Sequence, residues 1–171
     1  MTLLLVFGGL PGSGKTAVSR AVADALEAVW IRLDTIEAAL ARSGRPVGDV
    51  PAGYAVAHAL ATDQLRLGRT VVVDAVNPVR AARAGWEECA AGSGGTLRFV
   101  EVRCSDVAEH RRRVETRRQD IPGHRLPTWD DVCALEYEQW AEQRLVVDND
   151  GTVAQAARRV TGWLARGAAA R

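Results

Sequence analysis

The stretch Gly9-Leu10-Pro11-Gly12-Ser13-Gly14-Lys15-Thr16 satisfies the phosphate-binding pattern G-x-x-x-x-G-K-[ST] at every defined position. Lys15 is the only lysine in a chain carrying 22 Lys plus Arg, so every other basic residue is an arginine. Arginine cannot stand in for it. A compact ammonium on a flexible stem fits between β- and γ-phosphates, where a planar guanidinium is too wide.

The flanks supply the context this motif needs. Leu3-Leu4-Leu5-Val6-Phe7 is an unbroken apolar run of strand length, as in a strand buried on both faces. After Thr16 the apolar residues Ala17, Val18, Ala21, Val22, Ala25 and Leu26 fall at helical spacing. Strand, glycine-rich turn and helix place successive backbone N–H groups and a helix N-terminus around one anion. Gly12, Ser13, Gly14, Lys15, Thr16 and Ala17 are the expected nucleotide contacts, with the Thr16 hydroxyl on Mg²⁺.

Outward from the loop, strand and helix signals alternate. Strands are expected at 29–33, 71–74, 97–102 and 145–147. Helices are expected at 35–42, 54–67, from near Pro78, from Ser105 to 118, from Thr128 to 141, and at 153–164. Pro46, Gly48 and Pro51 mark a loop over 44–53, and Pro122, Gly123 and Pro127 another. Repeated βα units imply an α/β fold, a five-stranded parallel sheet with helices on both faces. Its 171 residues suit a single domain. A net charge of +1 gives no global field toward nucleic acid or membrane. Cys89, Cys104 and Cys133 form no C-x-x-C pair and read as buried, reduced thiols of a cytoplasmic protein. No leader and no membrane span is expected.

In parallel sheets ligands bind beyond the carboxyl ends of the strands, so the residues there carry the chemistry. Asp34 follows the second strand and is the expected base for a substrate hydroxyl; Asp34-Thr35-Ile36-Glu37 also reads as a helix cap with a capping box. Asp74 ends the third strand and reads as a substrate contact or a magnesium carboxylate acting through water. Asn77 is a substrate contact or a turn residue. Arg113 and Arg117, four apart, are the candidate phosphate clamp of an arginine-rich lid over 105–127. Arg111, Arg112 and Arg118 read as a solvated face beside Glu109 and Glu115. The three histidines lack metal-ligand spacing, although His124 stands in a loop that approaches substrate. The five tryptophans read as packing residues.

The segments GLPGSGKT (9–16), LDTIEAAL (33–40), VVVDAVNP (71–78) and HRRRVETR (110–117) together resemble the small P-loop kinases. That group includes gluconate and shikimate kinases, zeta-toxin sugar-nucleotide kinases and polynucleotide 5′-kinases. The nearest likeness is to bacterial P-loop ATPases whose lid helix is followed by Pro-Thr-Trp, here Pro127-Thr128-Trp129. The resemblance implies a P-loop NTPase fold with ATP and Mg²⁺ as cofactors. It also implies Lys15, Asp34, Arg113 and Arg117 as catalytic residues, and a small-molecule hydroxyl as acceptor. Polynucleotide-kinase-like members carry an arginine three residues after the base. Glu37 stands there, and its charge is expected to repel a phosphorylated or polyanionic acceptor. Two other functions remain: a regulatory ATPase without acceptor, and a nucleic-acid 5′-hydroxyl kinase, which the neutral net charge disfavours. Val147-Asp148-Asn149-Asp150 does not match the guanine-reading N-K-x-D motif.

Overall fold

A computed structural model describes residues 2–44 and 52–169. Among them the chain runs β1 (Leu3–Gly8), α1 (Lys15–Ala25), β2 (Val29–Arg32), α2 (Leu33–Arg42), α3 (Ala52–Arg66), β3 (Val71–Asp74), α4 (Arg80–Ser93), β4 (Thr96–Arg103), α5 (Val107–Thr116), α6 (Trp129–Ala134), β5 (Arg144–Asp148) and α7 (Val153–Ala169). The strands form one five-stranded sheet in the order β2-β3-β1-β4-β5. Every pairing is parallel, and β1 lies at the centre with Leu5 opposite Val72 on one side and Arg98 on the other. This is the expected α/β architecture.

Strand alternation splits the core in two. Leu4, Val6, Val71, Val73 and Phe99 face a cluster that includes Ala57, Ala61 and Leu65 of α3 and Trp86 of α4. Leu5, Phe7, Val72, Val100 and Val102 face the other, with Val18 and Val22 of α1 and Val160 of α7. A strand that buries both faces must be apolar at every position, which is why β1 and β3 read as unbroken runs. Between β3 and β4 the chain crosses β1, and beyond the carboxyl ends at that reversal lies the ligand crevice of such sheets.

Helix ends depart from expectation in several places. Arg32, in extended conformation, is the N-cap of α2; Asp34 sits in the first turn and the Asp34–Glu37 capping box is not formed. There the carboxylate still favours the helix through the dipole. Pro78 lies outside α4, whose N-cap is Val79. Asp106, not Ser105, caps α5 by accepting from the backbone N–H groups of Ala108 and Glu109. That helix stops at Thr116, and Arg117 is extended. Thr128 does cap α6 in a capping box with Asp131, but the helix ends at Ala134 rather than 141. Beyond it the Glu138 N–H donates to the Pro78 carbonyl, and Trp140 is only 5% exposed in the core. Sheet contacts have outbid the local helix signal. Of the cysteines only Cys89 is buried; Cys104 is half-buried and Cys133 exposed. No helix among the described residues is long and apolar enough to cross a membrane. Most of the loop expected over 44–53 lies outside the described residues.

Candidate nucleotide and acceptor site

Residues 9–16 wrap the N-terminus of α1, and three distant segments hold them in place. The Gly9 N–H donates to the Val76 carbonyl at 3.1 Å. His110 of α5 donates through Nε2 to the Pro11 carbonyl at 2.8 Å, and Asn149 after β5 donates through Nδ2 to the Ser13 carbonyl at 3.1 Å. Gly14 adopts φ +90°, and a Cβ there would stand 2.1 Å from Asn149 Nδ2. At Gly12 a Cβ would meet Val114 at 2.4 Å. Both the left-handed backbone and these close approaches demand glycine. The arginine-rich helix α5 thus rests on the loop through His110 and Val114, with His110 edge-on to Trp129. Helix α5 carries more buried anchoring than its charge suggests, with His110 and Val114 both buried.

A cleft of about 750 Å³ opens beside the loop. Gly12, Gly14, Lys15, Thr16 and Ala17 form one wall. Asp34, Arg113 and Arg117 line it too, so most of the expected site residues share one space. Ser13 does not line it, being 1% exposed with an unpartnered Oγ. A smaller cavity of about 300 Å³ lies behind the loop against Tyr137 and Trp140. Lys15, Asp34, Arg113 and Arg117 do not line it; the larger cleft is the one these four share.

Asp74 lies beneath that cleft at 2% exposure, and neither carboxylate oxygen has a hydrogen-bond partner. Burial pushes its pKa up, against the pull of Lys15 and of Thr16, which stands beside it without hydrogen-bond geometry. A buried carboxylate left this way has unspent acceptor capacity. Asp34, 21% exposed, sits 3.8 Å from both Arg32 Nη2 and His124 Nε2. Arg32 is the residue the sequence reading missed. Its guanidinium grips Asp120 at 2.5 and 3.2 Å, and its Nε lies 3.8 Å from Asp74. One arginine at the end of β2 therefore ties three carboxylates together. Nothing local marks it, because its main partner is 88 residues away.

The arginines of α5 and its C-cap divide as their surroundings dictate. Arg111 pairs with Glu115 and Arg112 with Glu109, both on the exposed face. Arg113 bonds Glu109 through Nε at 2.7 Å while its Nη1 comes within 3.8 Å of where a Gly14 Cβ would stand. The bonds from Arg112 and Arg113 bring the Glu109 carboxyl down to about 2. Arg117 is half-buried and makes no ion pair within 4 Å among the described residues. Burial lowers its pKa, and the nearby Asp34 charge opposes that.

Asn77 stands in the turn after β3 and does not line the cleft. It is fully buried at φ +52°, donates through Nδ2 to the Phe7 carbonyl and accepts from the Trp86 indole. Its backbone N–H is taken by the Tyr54 hydroxyl. Trp30, read as a packing residue, lines the cleft. Glu37 does not line it; the Glu37 stem lies against Gly53, and desolvation together with Asp34 raises its pKa.

Residues 4–135 match the model of the AAA domain family. The chain belongs to that family. No curated protein matches this AAA domain. Solved structures of similar fold include an unliganded sugar kinase from Janibacter sp. HTCC2649, 18% identical with a TM-score of 0.71 over 96% of this chain and 95% of that one. Another is the Mycobacterium tuberculosis APS kinase with AMPPNP and APS, 19% identical, TM-score 0.71, covering 95% and 97% of the two chains. A gluconokinase from Sinorhizobium meliloti 1021 is 24% identical, TM-score 0.63, with 95% and 91% covered. At such identities the likeness carries the fold. This AAA domain has the fold of the small P-loop kinases, as the motifs implied.

Proposed function

We propose that this AAA domain is an ATP- and Mg²⁺-dependent phosphotransferase that moves the γ-phosphoryl group to a hydroxyl of a small molecule. The observation that carries the reading is Asp34: a carboxylate left partly open in the same cleft as Lys15. In a regulatory ATPase without acceptor the same carboxylate would face only water, so dependence of turnover on an added hydroxyl separates the two readings.

The backbone N–H groups of residues 12–17 and the Lys15 ammonium cradle the β- and γ-phosphates. The chain fits a divalent cation. Thr16 offers a hydroxyl at the loop, and the buried, unpartnered Asp74 carboxylate beside it would accept from metal-bound water. When bound, Mg²⁺ offsets charge on the β- and γ-phosphate oxygens. Asp34 holds the acceptor hydroxyl and takes its proton as the oxygen–phosphorus bond forms, while the bond to the β-phosphate oxygen breaks and ADP leaves. Arg113 and Arg117 stabilise charge on the transferring group. Exposed and half-buried free thiols at Cys133 and Cys104 suit a reducing cytoplasm.

Asp34→Asn separates this reading from mere nucleotide binding. It removes a first-turn charge, so stability should change by less than about 1 kcal/mol. Nucleotide affinity should stay within a few-fold, since Lys15 and the loop are untouched. Acceptor-dependent ADP release should fall by roughly 10²–10⁴-fold. Normal transfer by this variant would leave the kinase without its base.

A further inference from the structure

We infer that Arg32 is the positioning residue of the transfer step: its guanidinium, anchored by Asp120, holds the Asp34 carboxylate in the direction from which it takes a proton. This rests on the phosphotransferase reading and adds the group that sets its base.

A general base works from one direction, and a displacement of about 1 Å can cost 10²-fold in rate. Asp34 has little of its own to fix it. It stands in the first turn of α2, whose N-cap makes no side-chain hydrogen bond. Among the described residues its ionic neighbours within 4 Å are Arg32 Nη2 and His124 Nε2, each at 3.8 Å. Arginine stays charged at every working pH, which a histidine does not. Arg32 also stands only two residues before the base, at the end of β2, so the sheet fixes its backbone.

Asp120 sets the plane of the Arg32 head group. It accepts from Nη1 at 2.5 Å and from Nη2 at 3.2 Å, a forked charge-assisted bond. The edge that remains faces the site. Nη2 points to Asp34, and Nε, buried without a hydrogen-bond partner, lies 3.8 Å from Asp74. One head group thus holds the base and the buried carboxylate in a fixed relation. The anchor has support of its own. Arg42 of α2 donates to the Pro122 carbonyl at 2.6 Å, Gln119 donates to the carbonyls of Ile121 and His124, and Ile121 is buried. The segment 119–124 therefore packs as a unit against α2, bringing Asp120 to Arg32 and His124 to Asp34.

The test asks whether Arg32 acts through Asp34. Protein, Mg²⁺ and γ-³²P-ATP are incubated with a pool of sugars, sugar acids and nucleosides, and label in phosphate esters is followed over a range of ATP concentrations. Arg32→Gln should lower the maximal rate roughly 10- to 100-fold and leave the KM for ATP within about threefold. In the Asp34→Asn background the same substitution should change the rate by less than about threefold, because the group it steers is gone. Asp120→Asn keeps Arg32 beside Asp34 and an oxygen to accept from it, and should cost only a few-fold. AMPPNP affinity within a few-fold of wild type shows that each variant is folded. Equal fold losses in the two backgrounds, a loss by Asp120→Asn as large as by Arg32→Gln, or wild-type rates in Arg32→Gln overturns the inference. Label released by wild-type protein only as inorganic phosphate sinks the phosphotransferase reading alone. The same variants are then compared by phosphate release, since a carboxylate that orients water needs the same support. No release of label in either form overturns both.

Discussion

Arg111, Arg112, Arg113 and Arg117 differ less in type than in what already holds them. The first two are tied to Glu115 and Glu109 on the exposed face. Arg113 leans over Gly14 while bonded to Glu109, and Arg117 is half-buried in the cleft near Asp34. An unpaired, partly desolvated guanidinium beside the reacting group interacts strongly with transition-state charge. Arg117→Ala should therefore cost on the order of 10³-fold in turnover with modest loss of ATP affinity. Arg111→Ala and Arg112→Ala should be close to silent in the same assay. Equal, small effects across all of them would make the whole set a solvated face. At this scale the sequence was legible where function is local. Lys15 and its glycines declare themselves within eight residues. Arg32, His110 and Asn149 act across separations of 88, 99 and 136 residues and leave no local trace.

Elements are placed by buried polar pairs as much as by apolar faces. Arg83 of α4, 1% exposed, bonds Glu142 at 3.0 Å, reaches the Asn77 carbonyl and lies over the Trp140 ring. This cluster fixes the turn after β3 and with it Asp74. Arg83→Ala leaves the buried Glu142 carboxylate with only the exposed Arg80 at 3.8 Å and should cost about 3 kcal/mol in urea denaturation. Arg111→Ala, on the surface, should stay within about 0.5 kcal/mol. His58 of α3 packs edge-on to Trp86, its Nε2 buried without a partner, and burial lowers its pKa against the weaker pull of Glu88. Below the ordinary histidine value of about 6.5 the unfolded chain therefore binds more protons at this position than the folded one. Stability should fall as pH drops through that value, until the folded form protonates too. His58→Gln should flatten that part of a stability–pH profile, and an unchanged profile would contradict the burial argument. Helix ends were the least legible elements. The run after α6 has helical spacing, yet Trp140 and Tyr137 are drawn onto the sheet, a competition no local pattern records.

Across the whole molecule, the unbroken apolar runs of β1 and β3 are what made a parallel sheet readable, since only strands covered on both faces tolerate them. The same sheet gathers the loop after β1, Asp34 after β2 and Asp74 at the end of β3 along one edge. Charge follows a different logic. A net charge of +1 conceals a cleft in which cations outnumber carboxylates by 7 to 3, and only folding reveals that concentration. The account as a whole stands on transfer of the γ-phosphoryl group to an organic hydroxyl. The most direct measurement follows the label: the protein, Mg²⁺ and γ-³²P-ATP are incubated with pooled hydroxylated metabolites and the radioactive products are separated. The account predicts label in a new phosphate ester that forms with wild-type protein and is lost with Lys15→Met and Asp34→Asn. Label recovered only as inorganic phosphate, at the same rate with and without the pools, would contradict it.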